Sequence, residues 1–479
     1  MRRLAYSVVV PALRWDGAAY HVDGSDATAS ELVDAGVAGF ILFGGTASAA
    51  ADLIAALRGR THHPLLFGAD LERGVGQQFE GATPLPPVGA LGDLDDLAVT
   101  RAAGELTARE ARALGLEMVF APVADVAVDP DNPIVGPRAF SADPLVAARH
   151  VRAWVGGALG AGALPCIKHF PGHGRASGDS HVGQVRVAAD ADTLDHDLVP
   201  FRAGIDAGVP LVMPGHLVVP ALDPDERIAT VSPPMLDGLL RTRLGFRGVV
   251  VTDALLMAGA GDLARTAVGA IRAGVDLLLY PESVEAAVDA LVLAAGEDPV
   301  FRERMSAARR RADSLSERMT GAGPDAAGET GSARDLERSS SWASASIRRV
   351  RGAAAPPGPD AAVTLIDVDD DVGGPYPPPS RAPFREAMAP RTEASGTVVV
   401  ALWADTRGWK GRAGLSESSA RALNAAIAGA ADPTSVHVVV FGGPRAAADV
   451  PAGPTVWLAW GGEPLMQAAA ARRLRENLS

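Results

Sequence analysis

Short apolar runs and longer stretches with helical spacing alternate along much of the chain. The runs Ala5–Val10, Gly39–Phe43, Pro64–Asp70, Glu117–Pro122, Ala163–His169, Leu211–His216, Gly248–Asp253 and Asp276–Tyr280 read as strands. None alternates strictly between apolar and polar, as expected of strands covered on both faces. Between them, Leu94–Leu114, Pro144–Leu159, Pro233–Leu244 and Ala264–Ala273 carry apolar residues at helical intervals, and Gly115, Gly245 and Gly274 stand where such helices would stop. Regular β-α alternation implies parallel strands joined by crossover helices. Eight such units predict an α/β fold that closes as a (β/α)8 barrel over residues 1–319.

The pattern changes after Arg318. Residues 320–360 are rich in Gly, Ala, Ser, Pro and charge and read as a linker with room for a short helix. A second αβ pattern then occupies 361–479, with strand-like runs at Ala362–Val368, Gly396–Trp403, Ser435–Phe441 and Thr455–Trp460 and helix-like stretches at Leu415–Ala431 and Pro464–Leu474. It predicts a smaller α/β sandwich domain.

Composition narrows the function classes. Apolar residues make up 48% and charged residues 21%, ordinary for a globular chain with a full core. With 44 basic and 57 acidic residues the net charge is −13, which argues against a nucleic-acid partner. The single cysteine, Cys166, excludes an intrachain disulfide and a cysteine-rich zinc site. No segment is apolar enough over enough length to span a membrane. Arg2 and Arg3 before an apolar run imitate a signal peptide, but Pro11, Arg14 and Asp16 interrupt it, so the start reads as a buried strand and the expected location is cytoplasmic. No Walker loop or dinucleotide fingerprint follows the first strand, and no cofactor is expected.

In a parallel barrel, reactive side chains gather where strands end. The polar residues at those ends are Asp70 and Glu72 after the third run, Asp125 after the fourth, Lys168 and His169 at the fifth, His216 at the sixth and Asp253 at the seventh. A scaffold without a site would scatter them over both ends. The densest block is Lys168-His169-Phe170-Pro171-Gly172-His173-Gly174, followed by Asp179-Ser180-His181. One reading is a glycine-rich loop whose histidines merely cap and bridge. The other is a gripping Lys-His pair at a strand end, then a loop carrying a proton-transfer pair, with glycines supplying the turns. The histidines also raise zinc as a rival, although Lys168 on the same rim would repel a cation.

This block resembles the signature of the family 3 glycoside hydrolases, in particular their β-N-acetylglucosaminidase branch. Ala121–Val126, Asn132–Phe140, Met213–His216 and Gly245–Leu255 resemble further family segments, so the similarity runs from about Ala35 to about Gly296. The resemblance implies a β-N-acetylhexosaminidase acting on a small carbohydrate substrate. It makes Asp253 the nucleophile, His181 the general acid/base and Asp179 its orienting partner, and places Asp70, Asp125, Arg138, Lys168, His169 and His216 on the sugar. One segment departs from it. Where the family reads Asp-x-Glu-Gly-Gly-Arg-Val-x-Arg, this chain reads Asp70-Leu71-Glu72-Arg73-Gly74-Val75-Gly76-Gln77-Gln78, without either expected arginine. Some two-domain relatives take their acid from a glutamate of the second domain, for which Glu417 and Glu463 are candidates here.

The implied chemistry is retaining hydrolysis through a covalent glycosyl-aspartate, which needs a strand-end carboxylate and an acid that later serves as base. Two alternatives stay open at this point. The same barrel could act on β-glucosides or β-xylosides, or transfer the sugar to phosphate, since a histidine base carries no negative charge to repel that acceptor. The chain could also be a catalytically silent sugar-binding protein, a reading favoured only by the missing arginines.

Overall fold

The computed structural model describes residues 1–176, 183–319, 329–359, 361–374, 378–389 and 397–475. They fall into two compact units. Unit 1 comprises residues 1–84, 97–126 and 142–335; unit 2 comprises 85–96, 127–141 and 336–479.

Unit 1 is built on parallel strands. They are β1 (Val9–Val10), β2 (Ala12–Trp15), β3 (Tyr20–Asp23), β4 (Gly39–Phe43), β5 (Leu66–Ala69), β6 (Met118–Val119), β7 (Leu164–Phe170), β8 (Val185–Arg186), β9 (Leu211–Pro214), β10 (Leu217–Val218), β11 (Val249–Val250) and β12 (Leu278–Leu279). The order β11-β9-β7-β6-β5-β4-β2-β3 forms one sheet, parallel except for the β2-β3 hairpin, while β1 pairs with β12 and β8 with β10. A parallel bridge joins Val251 to Leu277, and the Ala38 amide donates to the Val9 carbonyl at 3.0 Å. Helices such as Leu97–Leu114, Pro144–Gly160 and Leu263–Ala273 cross between strands.

Burial explains why the strands read as continuous apolar runs. Leu66, Met118, Phe120, Leu164, Cys166, Leu211, Met213, Val249 and Val251 belong to one core cluster. Their neighbours Phe67, Val119, Ile167, Val212 and Val250 are also fully buried, on the other face. Gly68 has a steric reason: a Cβ there would come within 2.9 Å of Met118 Cβ and of the Phe120 ring.

Unit 2 holds a five-stranded sheet in the order β13 (Arg348–Arg351), β17 (Thr455–Leu458), β16 (His437–Gly442), β15 (Thr397–Ala404), β14 (Val363–Asp369), with only β13 antiparallel. Its core includes Trp403 stacked on Phe441 with ring centres 4.1 Å apart, and Phe384 edge-on to Phe441 at 4.9 Å.

The structure departs from the sequence expectations in several places. Where Ala5–Val10 reads as one strand, Arg2–Tyr6 is a helical turn and only Val9–Val10 is extended. The β-branched valines take the strand, while Arg-Arg-Leu-Ala-Tyr has no such bias. The hairpin of β2 and β3 was not expected, although its Asp16-Gly17 corner is a turn signal: the Asp16 carboxylate accepts from the amides of Ala18 and Ala19, both at 2.8 Å. Within the stretch read as linker, Ala333–Ser346 is a helix and β13 joins a sheet, whereas residues 320–328 lie outside the described residues. The units also draw on the chain differently from the expected 1–319 and 361–479, since segments 85–96 and 127–141 pack with the later sheet.

Candidate active site

Side chains on one face of a strand recur every second residue. Following the core column Leu66, Gly68 leads to Asp70; Leu164, Cys166 leads to Lys168; Val249, Val251 leads to Asp253. The apolar column thus ends in charge on three strands at the same sheet end. Cys166 lies beneath all three. Burial pushes its thiol pKa up, and the charges of Lys168, Asp70 and Asp253 all reach it.

Lys168 is the centre of the cluster. Its ammonium lies 2.6 Å from Asp70 Oδ1 and 2.8 Å from Glu72 Oε1, with its side chain only 3% exposed. Two carboxylates around one ammonium hold it in place, and charge-assisted bonds of this kind are the strong ones. Asp70 remains partly open to solvent.

His169 points its Nδ1 at Asp125 Oδ2, 2.6 Å away. An ionised carboxylate only accepts, so Nδ1–H donates. The other Asp125 oxygen accepts from the backbone amide of His173 at 2.7 Å. Each oxygen thus has a partner within the protein, and Asp125 is 1% exposed. Asp125 thus holds His169 and the backbone of the loop that follows it. His169 also has a φ of +140°, a strained value for a residue with a side chain.

His216 is also held by protein partners. It is fully buried, with Nδ1 2.8 Å from Thr230 Oγ1 and Nε2 3.1 Å from the Ala254 carbonyl. Through the second contact it meets the backbone immediately after Asp253. That aspartate is half-buried, and its Oδ1 accepts from the Ala254 amide at 2.8 Å.

Asp179 and His181 lie outside the described residues. Arg138 belongs to unit 2, in the turn Gly136–Arg138, as do Glu417 and Glu463, whereas Asp70, Asp125, Lys168, His169, His216 and Asp253 belong to unit 1. Val75, at the position of the first arginine missing from the resembled motif, is fully buried. Arg73 donates its backbone amide to Gln77 Oε1 at 2.8 Å. Glu417 is almost fully exposed.

One group was missed from the sequence. Asp197 is buried at the end of the helix Ala191–Asp197 and accepts from Arg175 Nε at 2.8 Å, while its other oxygen has no hydrogen-bond partner. Burial raises its pKa against the pull of Arg175. Arg175 follows the glycine-rich block directly, but nothing local in the sequence ties it to a carboxylate 22 positions away. Among the described residues, no three His, Cys, Asp or Glu side chains cluster as metal ligands would, and no helix is long and apolar enough to cross a membrane.

Comparison with known proteins agrees with this chemistry. The family description "Glycosyl hydrolase family 3 N terminal domain" matches residues 15–315. A protein of Xylella fastidiosa (strain 9a5c) named Beta-hexosaminidase is 41% identical over 289 residues, 56% of this chain and 85% of that protein. The solved glycoside hydrolase family 3 β-N-acetylglucosaminidase from Paenibacillus sp. str. FPU-7 is 28% identical, with a TM-score of 0.85 covering 99% of this chain and 96% of that one. The β-glucoside phosphorylase BglX superposes with a TM-score of 0.84 over 100% of this chain and 92% of that one; at 19% identity it shares the fold alone.

Proposed function

The chain belongs to glycosyl hydrolase family 3 and is a glycoside hydrolase, and from that premise we propose that it removes terminal N-acetylglucosamine from β-linked substrates with retention of configuration. The observation that carries the reading is the set of charges at one sheet end, Asp253, Lys168, Asp70 and the Asp125-held His169, in a chain 41% identical to a Beta-hexosaminidase. The choice of sugar rests on that relative and on the Paenibacillus enzyme.

In this mechanism Asp253 attacks the anomeric carbon and the bond to the leaving oxygen breaks. His181, held by Asp179, protonates that oxygen. It then takes a proton from the water that releases the sugar from Asp253. Lys168 and Asp70 bind hydroxyls as donor and acceptor, with His169 beside them. Asp125 and His216 act behind them, on His169 and on the backbone of Ala254. The scaffold is read as a closed (β/α)8 barrel, with unit 2 as a separate α/β domain. The bridge from Val251 to Leu277, the β12-β1 pairing and the bond from Ala38 to Val9 support closure.

The test compares aryl N-acetyl-β-glucosaminide with the β-glucoside and β-xyloside, with and without inorganic phosphate, and follows the first-formed anomer by NMR. We expect N-acetylglucosaminide to be preferred and the β-anomer of the free sugar to form first. Asp253→Asn should lower kcat by at least about 10³-fold, several kcal/mol of transition-state stabilisation. A sugar phosphate as the main product, an inverted anomer, or a near-normal rate in Asp253→Asn would overturn it.

A further inference from the structure

Unit 2 contains a cavity of about 720 Å³ that the hydrolytic reading does not use. It is bounded by the ends of the helices Val88–Leu94 and Ala333–Ser346, by β13 and β17, and by the helix Pro464–Arg475. Arg348, Arg349, Arg473, Asp93 and Trp457 line it.

Its charge is unbalanced. Arg348 pairs with Asp93 at 2.7 Å. Among the described residues neither Arg349 nor Arg473 has a carboxylate within ion-pair distance, and Arg473 Nε is buried without a hydrogen-bond partner. In a chain of net charge −13, two uncompensated guanidiniums on one cavity stand against the background. Trp457 adds an apolar wall. Its Nε1–H already donates to the buried His437 Nδ1 at 3.1 Å, so only the ring is on offer, with the Arg349 guanidinium 5.9 Å from its centre.

We infer that this cleft binds a small organic oxyanion. A phosphate or carboxylate group lies between Arg349 and Arg473, and an apolar or planar body lies against Trp457. Guanidinium forks match both oxyanions with paired bonds, and the volume suits a small molecule.

The test uses the full chain at low salt, with phenyl phosphate, benzoate and neutral phenol as probes, read by calorimetry and thermal shift. At least one anionic probe binds saturably, and more weakly as salt rises, while phenol does not bind. Binding of phenyl phosphate alone assigns the site to phosphate esters; binding of both anions assigns it to either group. Arg349→Gln and Arg473→Gln each weaken binding by about tenfold or more, the loss of one charge-assisted contact. Both leave hydrolysis of the aryl substrate unchanged, which also reports folding. Arg349 is exposed, so its replacement tests the site even if Arg473→Gln folds poorly. No saturable binding by either anion at 10 mM (~10 mM being a weak limit for a real site), or equal affinity in the variants, overturns the proposal.

Discussion

Asp70, just past β5, keeps 30% of its side chain exposed while it holds Lys168; Asp371, just past β14, keeps 2% while it holds Lys410. Both units thus put charge at the ends of parallel strands. In unit 2, Asp369, Asp370, Asp371 and Asp405 are met by Arg381, Arg407, Lys410 and Arg412. Lys410 also donates to the Asp405 carbonyl at 2.8 Å. At its centre Lys410, Asp370 and Asp371 are nearly dry, while Asp369, Arg407 and Arg412 at its edge stay 31%, 32% and 34% exposed. In unit 1, one lysine organises two carboxylates and leaves Asp70 and Asp253 partly open. The contrast therefore lies in the lysine at the centre of each cluster: Lys168 holds a carboxylate that stays open to a ligand, whereas Lys410 is ringed by carboxylates that are themselves buried. The buried version fixes one packing of the sheet.

Matched lysine substitutions test this contrast with the largest effects. Lys168→Met should cut kcat/KM on aryl N-acetylglucosaminide by about 10³-fold, because a donor is lost and two carboxylates are left facing each other. Lys410→Met should leave kcat/KM within about twofold and instead cost about 3 kcal/mol of folding stability, the usual result of breaking a buried pair from one side. Kinetics and urea unfolding on both variants decide it. An activity loss in Lys410→Met that matched Lys168→Met would erase the distinction.

A finer cut lies within unit 1, between groups that touch substrate and groups that hold them. Asp125→Asn can accept through only one oxygen, so either His169 Nδ1–H or the His173 amide loses its partner. The expected outcome is a KM raised roughly tenfold to a hundredfold with a smaller change in kcat, since His169 would be misoriented in ground and transition state alike. An unchanged KM would mean that His169 needs no support from Asp125.

These contrasts also show where the sequence was legible. The strand Gly39–Phe43 matches its apolar run residue for residue, and β7 and β15 lie within one residue of theirs. Strands buried on both faces leave a continuous apolar signature. The polar residues ending those runs then pointed to Asp70, Lys168 and Asp253, and in the structure each extends a core column by one step. For Asp125 and His216 the sequence named no protein partners. Their partners, His169 and the Ala254 carbonyl, are 44 and 38 positions away, and nothing local encodes such pairings. The assignment of 85–96 and 127–141 to unit 2 was hidden for the same reason. Gly92, for example, is glycine because a Cβ would sit 1.8 Å from the Phe140 carbonyl oxygen, a contact between segments far apart in sequence.

The smallest expected effect separates the units by pH. His437, on β16 in unit 2, is 1% exposed. Its Nδ1 accepts from Trp457 Nε1–H and its other nitrogen bonds the Ala355 backbone, so the neutral ring is satisfied. Burial holds its pKa below the usual histidine value, and the nearby Arg349 charge adds to the depression. The unfolded chain therefore takes up a proton near pH ~6.5 while the folded chain resists it. The stability this histidine contributes is complete above that pH. It is lost as pH falls toward the depressed folded value, with a limiting slope of about 1.4 kcal/mol per pH unit. His437→Gln keeps an acceptor for the indole but cannot titrate. The stability advantage of the natural protein over this variant should then shrink by on the order of 1 kcal/mol between pH 7.5 and 5.5. Urea unfolding at the two pH values, followed by tryptophan fluorescence, measures it. An advantage equal at both would mean that His437 is protonated as readily folded as unfolded, and that its burial does not set the acid sensitivity of unit 2.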